Sequence, residues 1–330
     1  MSELDLLIRG YQISRMIRVA ADLAIADRIR PQEWRSVSDL AQSCGVHPEP
    51  LRRILRALAA FGVFRVEGDG QVAHSSRSLS LRSDAPNSLH AAARYWTAPG
   101  SWRAWGELDA ALTGNTPHRV AWNTSRFDYL RDHPEEARIF HAFMARTPDG
   151  RLGALTAAYD FSNATLIVDV GGGNGEALRL ILSRYPNLRG LVFDREDVIT
   201  TITAADRLDG RIAIEAGSFF ERVPAGGDVY LLNWILHDWS DEDCLRILRI
   251  CRAAMNDDAR LLIGEALLDP DPARGQPAAY LFDVHMMAMF GEARERTESE
   301  FCDLLAASGF AFERSIATAS PFSVIEARRG

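Results

Sequence analysis

A doubly wound α/β sheet preceded by a mostly helical winged-helix segment is the fold class that the sequence predicts, on three observations. An apolar run, Leu166 to Val170, enters a glycine-rich turn, Gly171 to Gly175, and a helical pattern with Ala177, Leu178, Ile181 and Leu182 on one side follows. Beyond that unit, short apolar runs and helical patterns alternate toward the end of the chain. Ahead of it, residues 36–75 read as helix, turn, helix and a two-stranded wing around Gly68-Asp69-Gly70.

Residues from about Leu4 to Ile29 carry a helical pattern, with Leu7, Tyr11, Met16, Val19, Leu23 and Ile25 among the apolar positions, and Pro31 ends it. In the winged-helix stretch the second helix places Leu51, Ile54, Leu55 and Leu58 on its core face. Its arginines, Arg52, Arg53 and Arg56, then read as the solvated side, diluted by Asp39, Glu49, Glu67 and Asp69. Residues 85–147 are helical and aromatic, with Tyr95, Trp96, Trp102, Trp105, Trp122, Phe127, Tyr129, Phe140 and Phe143, mostly as core. Phe143 and Met144 offer an adaptable apolar surface for a flat substrate. The domain boundary is expected between Gly150 and Asn163. This divides the chain into a winged-helix domain at 1–84, a helical linker and substrate-pocket segment at 85–155, and the α/β domain at 156–330.

The glycine turn can be read chemically. Glycines at 171, 173 and 175 let a ligand approach backbone N–H groups where a strand feeds a helix. Leu191-Val192-Phe193 is the next buried strand, and Asp194 at its tip, 19 residues after Gly175, is placed to accept both hydroxyl protons of a ribose. A dinucleotide fingerprint needs a third glycine where this chain has Glu176, and a pyrophosphate would meet a carboxylate there. Asp169 before the turn and Glu176 after it suit instead a cofactor with an ammonium and a sulfonium, S-adenosylmethionine (SAM), whose product is S-adenosylhomocysteine (SAH).

Further strands are expected at Arg211 to Glu215, Asp228 to Leu232 and Arg260 to Gly264, with a helix at Phe301 to Ser308 and a closing strand at Ser323 to Ala327. Ser240 to Asp243 resembles a capping box. Ligands of such sheets gather past the carboxyl ends of the strands, which selects Asp194, Ala216 to Phe219, Asn233 to Asp238 and Glu265. His237 and Glu265 follow neighbouring strands. A neutral imidazole is a suitable base for deprotonating a hydroxyl, and a carboxylate against its other nitrogen fixes the tautomer.

The 330 residues, 47% hydrophobic and 25% charged, are those of a globular chain of about two domains. A net charge of −8 argues against general affinity for nucleic acid, and no apolar run reaches membrane-span length. The first residues lack a basic signal-peptide start, so a cytoplasmic protein is expected. The cysteines at 44, 244, 251 and 302 have no metal-ligand spacing and read as reduced core thiols, and no metal is expected.

Taken together, DVGGGNG at 169–175, FD at 193–194, NWILHDWSDEDC at 233–244, GE at 264–265 and RERTESEF at 294–301 make the chain resemble a known family. This is the SAM-dependent O-methyltransferases related to plant caffeic acid and chalcone methyltransferases, with bacterial members that act on aromatic natural products. The resemblance implies a Rossmann-like SAM domain and a winged-helix domain that pairs subunits into a homodimer without binding DNA. It implies His237 as general base, Glu265 as its orienting carboxylate and Glu295 as a second flanking carboxylate. Gly171 and Asp194 match cofactor positions, and Met144 and Met286 match positions lining an aromatic-substrate pocket, beside Asp238. Without the motif, residues 294–300 read as a solvated charged stretch in which Thr297 and Glu300 cap a helix. Three positions depart from the family: Ser218, where an acidic residue often binds adenine, with Phe219 next to it for stacking; Asn233, in place of a lysine; and His285, in place of an apolar residue. Two other readings use the same residues: a SAM-binding enzyme that hydroxylates or rearranges without methylating, and a SAM-responsive winged-helix regulator.

Overall fold

The computed structural model describes residues 2–68, 70–145, 151–318 and 322–330. Asp69 of the expected wing and the Gly150 end of the expected boundary lie outside the described residues. The chain forms two units, Met1–Ala110 with Pro117–Pro148, and Ala111–Thr116 with Asp149–Gly330.

In the first unit a three-stranded antiparallel sheet, β1 (Arg35–Ser36), β2 (Phe64–Val66) and β3 (Gln71–His74), is ordered β1-β3-β2 beside helices Val37–Cys44 and Pro48–Ala60. This is the expected helix, turn, helix and wing. Leu51, Leu55 and Leu58 are buried against Leu40, Phe64 and Val72, while Arg52 on the same helix turns outward to Glu49 at 2.8 Å. The N-terminal pattern is not one helix to Ile29. It forms Glu3–Ile8 and Gly10–Asp22, and a left-handed residue, Ala24 at φ 49°, ends the second run before Pro31 is reached. Leu4, Leu7, Ile8 and Tyr11 stay exposed on this chain, at 58% or more each. Among the aromatics, Phe143 stacks on Tyr95 with centroids 4.3 Å apart and belongs to a small core with Ile139. Met144 next to it is exposed.

The second unit is a seven-stranded sheet. Its strands are β4 (Leu166–Val170), β5 (Arg189–Asp194), β6 (Ile212–Ala216), β7 (Val229–Asn233), β8 (Arg260–Ala266), β9 (Phe310–Ala317) and β10 (Phe322–Arg329). Their order is β6-β5-β4-β7-β8-β10-β9. The first five run parallel, and β10 is antiparallel to both β8 and β9. Both faces of the parallel strands are covered, so alternate residues enter opposite cores. Ile167, Val192 and Leu231 pack with helix Glu176–Arg184 on one side, and Val168, Phe193 and Tyr230 pack with helices Asp241–Ala254 and Glu298–Ala307 on the other. Cys244 and Cys251 share that second core face, as their spacing predicts. Cys44 and Cys302 do not: they are only half-buried, so the expectation of four core thiols is corrected to two.

Strand β9 was absent from the sequence expectation. Its outer edge leaves Glu313 and Arg314 exposed, and this charged edge carries too little apolar alternation to read as a strand. Ser240 caps helix Asp241–Ala254 by accepting the Asp243 N–H at 3.2 Å, but no return bond from Asp243 completes the expected box among the described residues. An aspartate is one methylene shorter than the glutamate that such a box uses. The chain order reverses between β4 and β7, so the loops that leave those two strands lie side by side at the carboxyl end of the sheet.

Candidate active site

The turn after β4 and the loop after β7 touch. A side chain at Gly171, whose φ is +74°, would come within 2.4 Å of Ile235 Cδ1, so both backbone conformation and packing demand glycine there. Gly173 and Gly175 also have positive φ, and around Gly173 the space is open. Asp169 is buried beneath the turn, and its Oδ2 has no hydrogen-bond partner. Burial, and then the neighbouring Asp194, push its carboxyl up to about 7. Asp194, at the tip of β5, accepts the Gly173 N–H at 2.9 Å and the Arg195 N–H at 2.7 Å, and burial raises its carboxyl too. Two acids raised in this way, facing a glycine turn, suit a ligand with a cation and hydroxyls. Phe219 reaches within 3.5 Å of the Cβ direction of Gly171, so its ring lies beside the turn. Ser218 Oγ accepts the Phe220 N–H at 3.3 Å, and Asn233 Oδ1 at the end of β7 is buried without a partner.

The loop after β7 carries the histidine. Trp234 opens it in the left-handed region at φ 59°, a strained conformation for a bulky residue, and its ring stands edge-on to His237 with centroids 4.7 Å apart. His237 is buried, and its Nδ1 lies 2.8 Å from Glu295 Oε1. With a carboxylate as acceptor, Nδ1 carries a proton in both charge states, and Nε2 is the ring nitrogen that gains or loses the second one. Asp238 Oδ1 is 3.5 Å from Nε2. Burial pulls the imidazole pKa down, but Glu265, Asp238 and Glu295 outweigh it and hold it up at about 10.

Glu265 acts on the ring by its charge and not by a hydrogen bond to it. Its Oε1 accepts the backbone N–H groups of Ile235, Leu236 and His237 at 3.1, 2.9 and 3.3 Å. Three successive N–H groups converging on one oxygen form an anion nest, so this carboxylate shapes the loop and the pairing of Nδ1 belongs to Glu295. Burial raises Glu265 to about 7. Glu295 is equally buried, while Thr297 and Glu300 just after it form a full capping box. Cap and site carboxylate thus coexist in one charged stretch.

The sequence profile of an O-methyltransferase domain matches residues 105–311, and that of the O-methyltransferase dimerisation domain matches residues 6–80. The chain belongs to the O-methyltransferase family. It is 38% identical to the mitomycin biosynthesis 6-O-methyltransferase of Streptomyces lavendulae, over 98% of this chain and 93% of that protein. The structure of the mitomycin 7-O-methyltransferase MmcR matches with a TM-score of 0.90 at 36% identity, covering 99% of this chain and 97% of that one. An O-methyltransferase from neocarzinostatin biosynthesis, solved with SAM and 2-hydroxy-5-methyl naphthoic acid, matches at 0.79 and 30% identity, with 96% of each chain covered. The protein is a SAM-dependent O-methyltransferase.

Ligand atoms of His237, Glu265 and Glu295, the three residues that the resemblance groups, lie within 4.8 Å of one another. The 2.8 Å between Nδ1 and Oε1 is a hydrogen-bond distance. Helix Pro277–Phe290 holds His285 and Met286 buried, and Phe282 on the same helix lies between the two histidines, 6.0 Å from His237 and 6.3 Å from His285. Asp283 of that helix accepts the Glu295 N–H at 2.8 Å. The apolar run of this helix concealed which of its faces would meet the histidine loop.

Proposed function

We propose that this O-methyltransferase methylates a hydroxyl of an aromatic or enolic small molecule in secondary metabolism, with His237 as general base. The buried bond between His237 Nδ1 and Glu295, in a loop that packs on the glycine turn, carries this reading. Bound SAM would supply an electrophilic methyl on a sulfonium, with SAH as the product. Asp169, the turn at Gly171, Gly173 and Gly175, and Asp194 would hold the cofactor, with the Phe219 ring available to its adenine and Ser218 and Asn233 as polar neighbours. His237 Nε2 accepts the acceptor's hydroxyl proton, Glu295 keeps Nδ1 protonated, and the surrounding carboxylates stabilise the imidazolium that results. Asp238, beside Nε2, orients the acceptor hydroxyl. His285 and Met286 line the acceptor pocket. The domain limits at 84 and 155 follow the same reading, as does a homodimer that covers the exposed apolar side chains of Leu4, Leu7, Ile8 and Tyr11. No helix among the described residues is long and apolar enough to cross a membrane.

Calorimetric titration with SAM and SAH is expected to show both binding. Incubation with SAM and a panel of hydroxybenzoates, hydroxynaphthoates and hydroxyquinones is then expected to give products heavier by one methyl. Binding of neither cofactor overturns the assigned cofactor residues, and binding without methylation of any phenol overturns the acceptor class. Light scattering is expected to give twice the 36.6 kDa chain mass, and a monomer at micromolar concentration contradicts the homodimer.

A further inference from the structure

The backbone around His237 is held from two sides, besides the turns of the loop itself and the Cys244 thiol, which donates to Leu236 O at 3.2 Å. The N–H groups of residues 235–237 go to Glu265, as described above. Carbonyls of the loop go to two residues of the R-E-R-T segment, Arg294 and Arg296. The Arg294 N–H donates to His237 O at 3.0 Å. Arg296 donates from Nη1 to Leu236 O and from Nη2 to Trp239 O, each at 2.9 Å. Between those two arginines, Glu295 holds the imidazole ring.

The Arg296 side chain is fully buried, a placement that a guanidinium tolerates only when its charge and donors are matched. Asp241, on the first turn of the helix that follows the loop, accepts from Nε at 2.9 Å and Nη2 at 2.7 Å. The segment itself is anchored: the Leu268 N–H donates to Arg296 O at 3.0 Å, and Asp283 holds the Glu295 N–H. A planar fork is needed here, because one group must bridge two carbonyls and a carboxylate at once.

We propose that Arg296 is a positioning residue: its guanidinium, braced by Asp241, fixes the backbone on both sides of His237 and so aims Nε2. This rests on the reading of His237 as the base. Glu265 and Arg296 work as opposite jaws, a carboxylate on the N–H side of the loop and a cation on its carbonyl side. Loss of the fork frees the loop and the Glu295 carboxylate together, and a displacement of about 1 Å at a reacting group lowers rates by roughly 10²-fold.

The test uses full-length Arg296→Lys and, as a milder second variant, Asp241→Asn, both bound to SAH. Lysine keeps the positive charge among the groups that face the ring and its clamp, Glu265, Asp238, Glu295, Asp283, Asp241 and Arg294. A change in His237 then reports geometry. Arg296→Lys is expected to keep SAH affinity within about twofold and the acceptor KM within about threefold, while kcat falls by about 10- to 10²-fold. NMR titration of labelled histidine is expected to show His237 losing its proton at lower pH, because the bond from Nδ1 to Glu295 is loosened. Asp241→Asn is expected to move both readouts the same way by less. Unchanged kcat and an unchanged His237 titration in a folded Arg296→Lys protein would reduce Arg296 to a purely structural tie. If that variant does not fold, the same null result in Asp241→Asn overturns the proposal. A wild-type enzyme that methylates no phenol tells against the acceptor class alone, since the titration needs no acceptor.

Discussion

His237→Ala is expected to lower turnover by roughly 10²–10⁴-fold, the usual worth of a positioned general base, while SAH affinity stays within about twofold. The two effects separate because His237 sits in the loop after β7, whereas the proposed cofactor contacts come chiefly from the ends of β4 and β5. Removing the imidazole also leaves Glu265 and Glu295 close together and buried without their shared cation. His237→Asn is therefore the companion variant, since its amide can still donate to Glu295. Steady-state kinetics with an acceptor from the phenol panel, alongside SAH calorimetry, checks both. Equal loss of SAH binding and turnover would reassign His237 to the cofactor site.

The same residue sets the pH dependence. Its carboxylate neighbours outweigh burial and hold the imidazole pKa at about 10, so the resting ring is charged at neutral pH. A base must be neutral to accept a proton, and the neutral fraction grows tenfold per pH unit below the pKa. Accordingly kcat/KM is expected to rise from pH 7 to pH 9. Glu295→Gln removes one of the charges that favour the imidazolium, so its rise is expected at lower pH. A wild-type profile that stays flat across that interval contradicts the assignment.

Asp194→Ala is expected to weaken SAH binding by about 10²-fold or more, because two hydrogen bonds to a carboxylate contribute about 1.5–3 kcal/mol each. The N–H groups of Gly173 and Arg195 already orient both carboxylate oxygens, so the group is fixed before any ribose arrives. Asp194→Asn keeps one acceptor and is expected to fall between. Calorimetry decides, with thermal melting of the free protein to show that the fold persists. Affinity within threefold of wild type would remove Asp194 from the cofactor site.

What the sequence by itself determined was whatever neighbouring residues encode. The glycine turn was legible because its backbone conformation needs glycine at fixed steps, and Gly171, Gly173 and Gly175 all adopt positive φ. The strand tips were legible because short apolar runs end where polar residues begin, which placed Asp194, His237 and Glu265 at one end of the sheet. The shared burial of Cys244 and Cys251 followed from helical period. Tertiary structure alone decided the rest. No spacing shows that Glu265 would bind three N–H groups, since that depends on β7 and β8 being neighbours and on the strained turn at Trp234. The stretch at 294–300 has the composition of a solvated surface. Only its return across the histidine loop buries Glu295 and Arg296, where each charge is matched by a partner far away in the chain. Local propensity is written in consecutive residues, whereas compensation of a buried charge is settled by which loops the sheet order brings together.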